Sequence, residues 1–269
     1  MREIGFTSWF SRDTPLEVAM GHLAAVKCKE TELAAMPEHL ARWREVVALL
    51  RKHQMKATAV SLGVPFYYDP RLDLHSSAEP VRTDSVAYAC RGLDFASRIG
   101  AELVYACSIR RGPKDGHANS LRRLDRSVRE CTRYAEKLGI RFALEPFPTG
   151  VLPTVRDTVG FVKDLETDNL GVLLDTGHAA ISGEPLAKAV QISKGKTVHV
   201  HLNNNDGVGD LHWAPQTGKL RTSDFVEFMA ELKNQGYSGR VSLEISKPEP
   251  VRETLVGSRR FVEQVLDRI

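Results

Sequence analysis

The sequence predicts an α/β chain folded as a (β/α)8 barrel, a single domain over residues 1–269. Three observations predict it. The length of 269 residues matches the roughly 250 residues that such a barrel needs. Short apolar runs alternate with amphipathic stretches of helical period along the whole chain, which implies a parallel sheet. No linker rich in Pro, Gly or Ser interrupts that alternation.

The predicted strands are, in order, Ile4–Thr7, Glu30–Ala34, Lys56–Leu62, Glu102–Cys107, Arg141–Glu145, Leu170–Asp175, Thr197–Leu202 and Arg240–Ile245. Most are short, apolar and bounded by Gly or charged residues, as strands buried on both faces should be. Eight helices are expected between and after them. Thr14-Pro15-Leu16-Glu17 reads as a capping box with proline at the first helical position. Leu121, Leu124, Val128, Cys131, Ala135 and Leu138 step by three or four and form one apolar stripe. Arg122, Arg126, Arg129 and Arg133 oppose it, a row better read as a solvated helix face than as a phosphate track. Thr154-Val155-Arg156-Asp157 is a second helix start. Gly100, Gly139 and Gly236 fall where a helix ends in a left-handed cap before the next strand.

Composition excludes several classes. A net charge of +3 provides neither a basic footprint for nucleic acid nor an acidic tail. Hydrophobic residues make up 42%, enough for a packed core. No apolar stretch approaches membrane-spanning length, and no signal peptide is visible after Arg2 and Glu3. Cys28, Cys90, Cys107 and Cys131 are widely spaced, so free thiols in a reducing cytoplasm are expected.

Four polar residues close the last four apolar barrel strands: Glu145 in RFALE, Asp175 in LGVLLD, His201 in VHVHL and Glu244 in VSLE. Barrel active sites lie at the C-terminal strand ends, and neighbouring strands stand about 4.8 Å apart. The four side chains can therefore meet at one mouth. Each has a plainer reading by itself, as a helix cap, a salt-bridge partner or a core histidine; four on consecutive strand ends are hard to explain so. Three carboxylates and one imidazole make a hard shell for one divalent ion. Mn2+ or Mg2+ suits it, with Co2+, Fe2+ or Zn2+ compatible. Thiolate is absent, which argues against structural zinc.

These residues carry a resemblance. LEPFP, LLDTGHAA, VHVHLNNND and LEIS are similar to the motifs of the xylose isomerase-like TIM barrels, the sugar isomerase/epimerase superfamily that includes endonuclease IV. The likeness is close from Arg141 to Lys247 and only architectural before that. It implies Glu145, Asp175, His201 and Glu244 as metal ligands, with Glu145 and Glu244 as the proton-transferring pair. It implies that His178 touches a substrate hydroxyl or a further metal. Asp210-Leu211-His212 resembles the family's Asp-x-His, followed there by a Pro-Gly-x-Gly turn. Here Gln216 and Lys219 depart from that turn, so structural and ligand roles for Asp210 and His212 both stay open. His199 shares its strand face with His201 and reads as a deeper barrel residue, with a substrate contact as the alternative.

The chemistry expected is proton abstraction beside a carbonyl of a sugar or sugar phosphate, giving epimerisation or isomerisation through an enediolate. A dehydratase of an inosose- or dehydroshikimate-like substrate is the alternative. A nuclease is disfavoured, because Ser61-Leu62-Gly63-Val64-Pro65 and Ala106-Cys107-Ser108 offer no histidine where that branch needs one. A non-catalytic sugar-binding barrel would have lost a ligand. The partner expected is a small sugar or polyol. Trp9 and Phe10, with Phe66, Tyr67 and Tyr68, can wall the mouth against a sugar, or pack the rim or an oligomer contact. Arg110, Arg111, Lys114 and Lys247 can meet a phosphate, or simply face solvent. Paired barrels are common in that family, so a homo-oligomer stays open.

Overall fold

Each short apolar run pairs with the run that follows it, and the last returns to the first. In the computed structural model, which describes residues 3–110 and 116–269, the strands are β1 (Ile4–Thr7), β2 (Glu30–Ala34), β3 (Lys56–Ser61), β4 (Leu103–Cys107), β5 (Arg141–Glu145), β6 (Leu170–Asp175), β7 (Thr197–Leu202) and β8 (Arg240–Leu243). They close a parallel barrel in sequence order. Both faces of such strands are covered, so β4 and β6 are buried at every position. Five of the strands have the predicted bounds. The other three are shorter: Leu62 caps a helix, Glu102 precedes β4, and Glu244 and Ile245 lie just beyond β8.

Eleven helices, not eight, occupy the described residues. They are α1 (Leu16–Ala25), α2 (Pro37–Ala41), α3 (Trp43–Lys52), α4 (Gly63–Tyr68), α5 (Glu79–Ile99), α6 (His117–Lys137), α7 (Val155–Asp164), α8 (Thr176–Ile181), α9 (Leu186–Ile192), α10 (Thr222–Asn234) and α11 (Val251–Leu266). The surplus is α2, α4 and α8, each of five or six residues. They are βα loops wound into one turn or more at the mouth, too short to show a helical period in sequence.

The helix starts are mixed. Thr154 caps α7, its hydroxyl accepting from the Asp157 backbone N–H. The capping box at Thr14 does not form: α1 begins at Leu16 with Pro15 as its N-cap. The Thr14 hydroxyl instead pairs with that of Ser11 at 2.7 Å. Gly100, Gly139 and Gly236 all take the left-handed conformation, with φ of 77°, 67° and 70°.

The main core lies between the barrel wall and the helices. Leu33, Val60, Val104, Phe142, Val172 and Val200 face it from the strands, all essentially inaccessible. Leu124, Val128, Cys131 and Ala135 of the predicted α6 stripe are buried there as well. Each such aliphatic or aromatic side chain stabilises the fold by roughly 1.5–3 kcal/mol. The opposite row of α6 is a solvated, ion-paired face, with Arg126 against Glu79 and Arg129 against Asp125. Phe10 and Phe66 also join the core and do not wall the mouth. Inside the barrel a smaller cluster of Ala59, Leu103, Tyr105, Ala143 and Leu173 fills a layer beneath the C-terminal strand ends.

None of the four cysteines is paired with another. Among the described residues no helix is long and apolar enough to cross a membrane.

Candidate metal centre

Register delivers the four strand-end residues to one place. A bulge between Val172 and Leu173 resets β6 against β7, so that Asp175 stands level with His201. Leu202 pairs with Leu243, which leaves Glu244 one step beyond β8 at the mouth. Glu145 ends β5 opposite Cys107 of β4. One donor atom from each of Glu145, Asp175, His201 and Glu244 lies within 4.8 Å of all the others, and all four residues are buried. His201 Nδ1 stands 2.8 Å from Glu244 Oε2 and 3.9 Å from both Glu145 Oε1 and Asp175 Oδ2.

The donors fit a cation on two independent grounds. Glu145 Oε1, His201 Nδ1 and Glu244 Oε2 are buried without a well-aligned hydrogen bond, although His201 Nδ1 and Glu244 Oε2 stand close, a state that ligation would relieve. Three carboxylates packed together out of water also repel one another unless a positive charge joins them. The remaining oxygens are held by the protein. Trp9 Nε1–H donates to Glu244 Oε1 at 2.9 Å, and the Cys107 thiol donates weakly to Glu145 Oε2 at 3.5 Å. Asp175 caps α8 through the His178 backbone N–H at 2.7 Å and accepts from the Asn203 amide. The helix-cap reading of Asp175 is therefore correct, and it leaves the residue in the cluster all the same.

Beneath the cluster sits a residue that the sequence reading missed. Glu32 of β2 reaches across the barrel, its Oε1 2.6 Å from His199 Nε2 and its Oε2 3.1 Å from His201 Nε2. Burial opposes its charge, but His199 and His201 outweigh that and hold its carboxyl far below the usual carboxylate range. Burial likewise opposes charge on His201, and the Glu32 and Glu244 carboxylates reverse it, raising its pKa well above the usual histidine value. A carboxylate behind a histidine fixes the ring and its tautomer, a role that metal sites use widely. His199 is thus the deeper residue expected. Glu32→Gln is expected to weaken Mn2+ binding by about 10–100-fold, read by calorimetric titration. An unchanged affinity would mean that His201 is oriented without it.

A second donor group adjoins the first. Asp210 Oδ1 stands 3.1 Å from His178 Nε2 and 3.2 Å from His212 Nδ1, and these three could also hold a cation. His178 Nδ1 is 3.2 Å from Glu145 Oε1, and His212 Nε2 is 3.3 Å from Glu244 Oε2. Burial works against charge on His212, yet Glu244 and Asp210 push its pKa up to about 9.

The loop carrying Asp210 is braced by Asn204 and Asn205 of the VHVHLNNND motif. Asn204 pairs its backbone with Trp213 and donates from its amide to the carbonyls of Pro215 and Leu220. Asn205 donates to the Gly177 carbonyl at 2.9 Å. Gly177 has no room for a side chain, since a Cβ would lie 2.0 Å from Asn203 Oδ1.

Glu145 and Glu244 line a cavity of about 720 Å³ together with Trp9, Tyr67, Tyr68 and Phe147. His178 packs edge-on against Phe147 with 5.0 Å between ring centroids. Of the cations proposed for phosphate, Arg110 donates to the carbonyls of Phe66 and Asp69, while Lys247 is exposed and lines the cavity. Arg111 and Lys114 lie outside the described residues.

Comparison with known proteins adds independent findings. An uncharacterised protein of Methanocaldococcus jannaschii is 36% identical over 124 residues, 44% of this chain and 41% of that protein. The fructoselysine 3-epimerase of Escherichia coli O157:H7 is 22% identical over 84% of this chain and 79% of its own length. A D-tagatose 3-epimerase-like protein of known structure superposes with a TM-score of 0.85, at 23% identity and 99% coverage of both chains. The D-psicose 3-epimerase of Clostridium cellulolyticum H10 superposes with a TM-score of 0.79, at 20% identity and covering 99% of this chain and 97% of the other. At such identities the structural likeness concerns the fold. A family model described as xylose isomerase-like TIM barrel matches residues 18–264, nearly the whole barrel, and the chain therefore belongs to the xylose isomerase-like TIM barrel family.

Proposed function

We propose that this protein is a divalent-metal-dependent carbohydrate epimerase that inverts a stereocentre beside the carbonyl of a ketose. The observation that carries the reading is the disposition of Glu145 and Glu244. Both stand at the cavity floor, each with one oxygen turned to the shared donor cluster and the other held by a protein donor. They approach from β5 and from the end of β8, with β6 and β7 between them. Relatives of this chain bear the names fructoselysine, D-psicose and L-ribulose 3-epimerase, which favours epimerisation over aldose–ketose exchange.

Glu145, Asp175, His201 and Glu244 would hold the ion, with Mn2+ the best match to a shell of three carboxylates and one imidazole. When bound, it supplies Lewis-acid polarisation of the substrate oxygens. The protein does the rest. One glutamate removes the proton from the carbon next to the carbonyl, and the other returns a proton to the opposite face. Trp9 and Cys107 keep the two carboxylates aimed, so that little orientation is left to chance at the moment of transfer. His178 and His212, both tied to Asp210, offer N–H groups to the substrate hydroxyls. Phe147 and the walls of the cavity keep bulk water from the reacting carbon.

The test is solvent exchange. Ketose incubated with the Mn2+-loaded protein in heavy water is expected to gain one deuterium at the inverted carbon, in recovered substrate as well as product. An unsaturated ketone absorbing in the ultraviolet would indicate elimination instead, and unlabelled sugar at long times would dismiss the proton-transfer mechanism.

A further inference from the structure

The cavity above the donors, about 720 Å³, lies well within the ~300–1,000 Å³ of sites that enclose drug-sized ligands. A lone pentose or hexose leaves much of it empty. What lines the unused part is informative. Among the described residues three large aromatic side chains are exposed, Tyr67 (56%), Tyr68 (39%) and Trp213 (38%), and all three line this one cavity. Tyr67 and Tyr68 meet edge to face at 5.3 Å, and the Arg12 guanidinium lies 5.1 Å over Tyr68. Exposed aromatic surface gathered at one spot marks a binding surface, and a flat ring suits the apolar C–H face of a sugar.

Charge narrows the choice. The exposed end of the cavity carries Arg12, Arg42 and Lys247 against Asp13, Glu17, Glu38 and Glu45, and Arg42 is already paired with Glu45. These residues present no cationic surplus, so the group they receive is neutral rather than a phosphate or a carboxylate.

Resting on the epimerase reading above, we propose that the substrate is a glycosylated ketose, its keto-sugar at the buried donors and its second ring against Tyr67 and Tyr68. The Mn2+-loaded protein is assayed on D-fructose, D-fructose 6-phosphate, 6-O-glucosyl-fructose and 4-O-glucosyl-fructose. One of the glucosylated ketoses is expected to exceed both D-fructose and its phosphate in kcat/KM by at least about tenfold. Tyr67→Ala and Tyr68→Ala should each shrink that preference by about five- to tenfold, the scale of one lost stacking contact, with Tyr68→Phe retaining it. Equal or better turnover of D-fructose or of the phosphate overturns the proposal and leaves the epimerase reading standing. So does a preference indifferent to both alanine variants, or a dimer in sedimentation that these variants dissolve, since the tyrosines would then cover a second copy. Absence of deuterium exchange with all four sugars removes the epimerase reading and this inference with it.

Discussion

Glu145→Gln and Glu244→Gln are each expected to lower kcat/KM by about 10²–10⁴-fold, the usual contribution of a positioned acid or base. The amide keeps the shape of the side chain and an oxygen for the Trp9 or Cys107 contact, but it cannot take up a proton. Because both residues also lie in the donor cluster, the assay is run at saturating Mn2+, which separates lost proton transfer from weakened ion binding. Far-ultraviolet dichroism and the thermal midpoint should change little, since neither side chain takes part in the apolar core. The double variant should be hardly worse than the poorer single one, because residues that act as a unit do not add. Near-full activity in either single variant would falsify the two-acid assignment.

Treatment with a chelator is expected to abolish turnover, and added Mn2+ to restore it. Stability should move as well. At one hundred times Kd, a ligand that binds only the folded state adds about 2.7 kcal/mol. For a chain of this size that corresponds to a rise in Tm of roughly 5–10 °C. The physical source is the buried set of Glu145 Oε1, His201 Nδ1 and Glu244 Oε2, which lack well-aligned hydrogen bonds until a cation joins them. Turnover that persists in metal-free protein, or a Tm indifferent to Mn2+, would exclude a cation from this site.

Most of the barrel was legible in the sequence because strands buried on both faces announce themselves as apolar runs, and LGVLLD and RFALE needed no further context. Less legible was whatever depended on closure. Glu32 lies in ETELA, where two acids flank a threonine and read as the polar opening of a strand. Only when β2 and β7 face each other across the barrel does that carboxylate come beneath His199 and His201. The hint available was an acid inside a strand otherwise buried on both faces. Thr14 shows the opposite failure: its local pattern is correct for a cap, yet Ser11 competes for the hydroxyl. Phe10 and Phe66 adjoin strand ends, which leaves the mouth, the rim and an oligomer contact all open to them in the sequence; both turn into the core. Trp9, one residue from Phe10, points the other way and reaches Glu244.

The reach of Glu32 across the barrel bears on how far this architecture can be cut and recombined. The four donors of the centre belong to the second half of the chain, between positions 145 and 244, so a fragment starting at β5 would look self-sufficient on paper. It would lack the acid that anchors the imidazole from below. A chimera that grafts this half onto a foreign first half inherits the donors without their foundation, unless the new second strand also supplies an inward carboxylate.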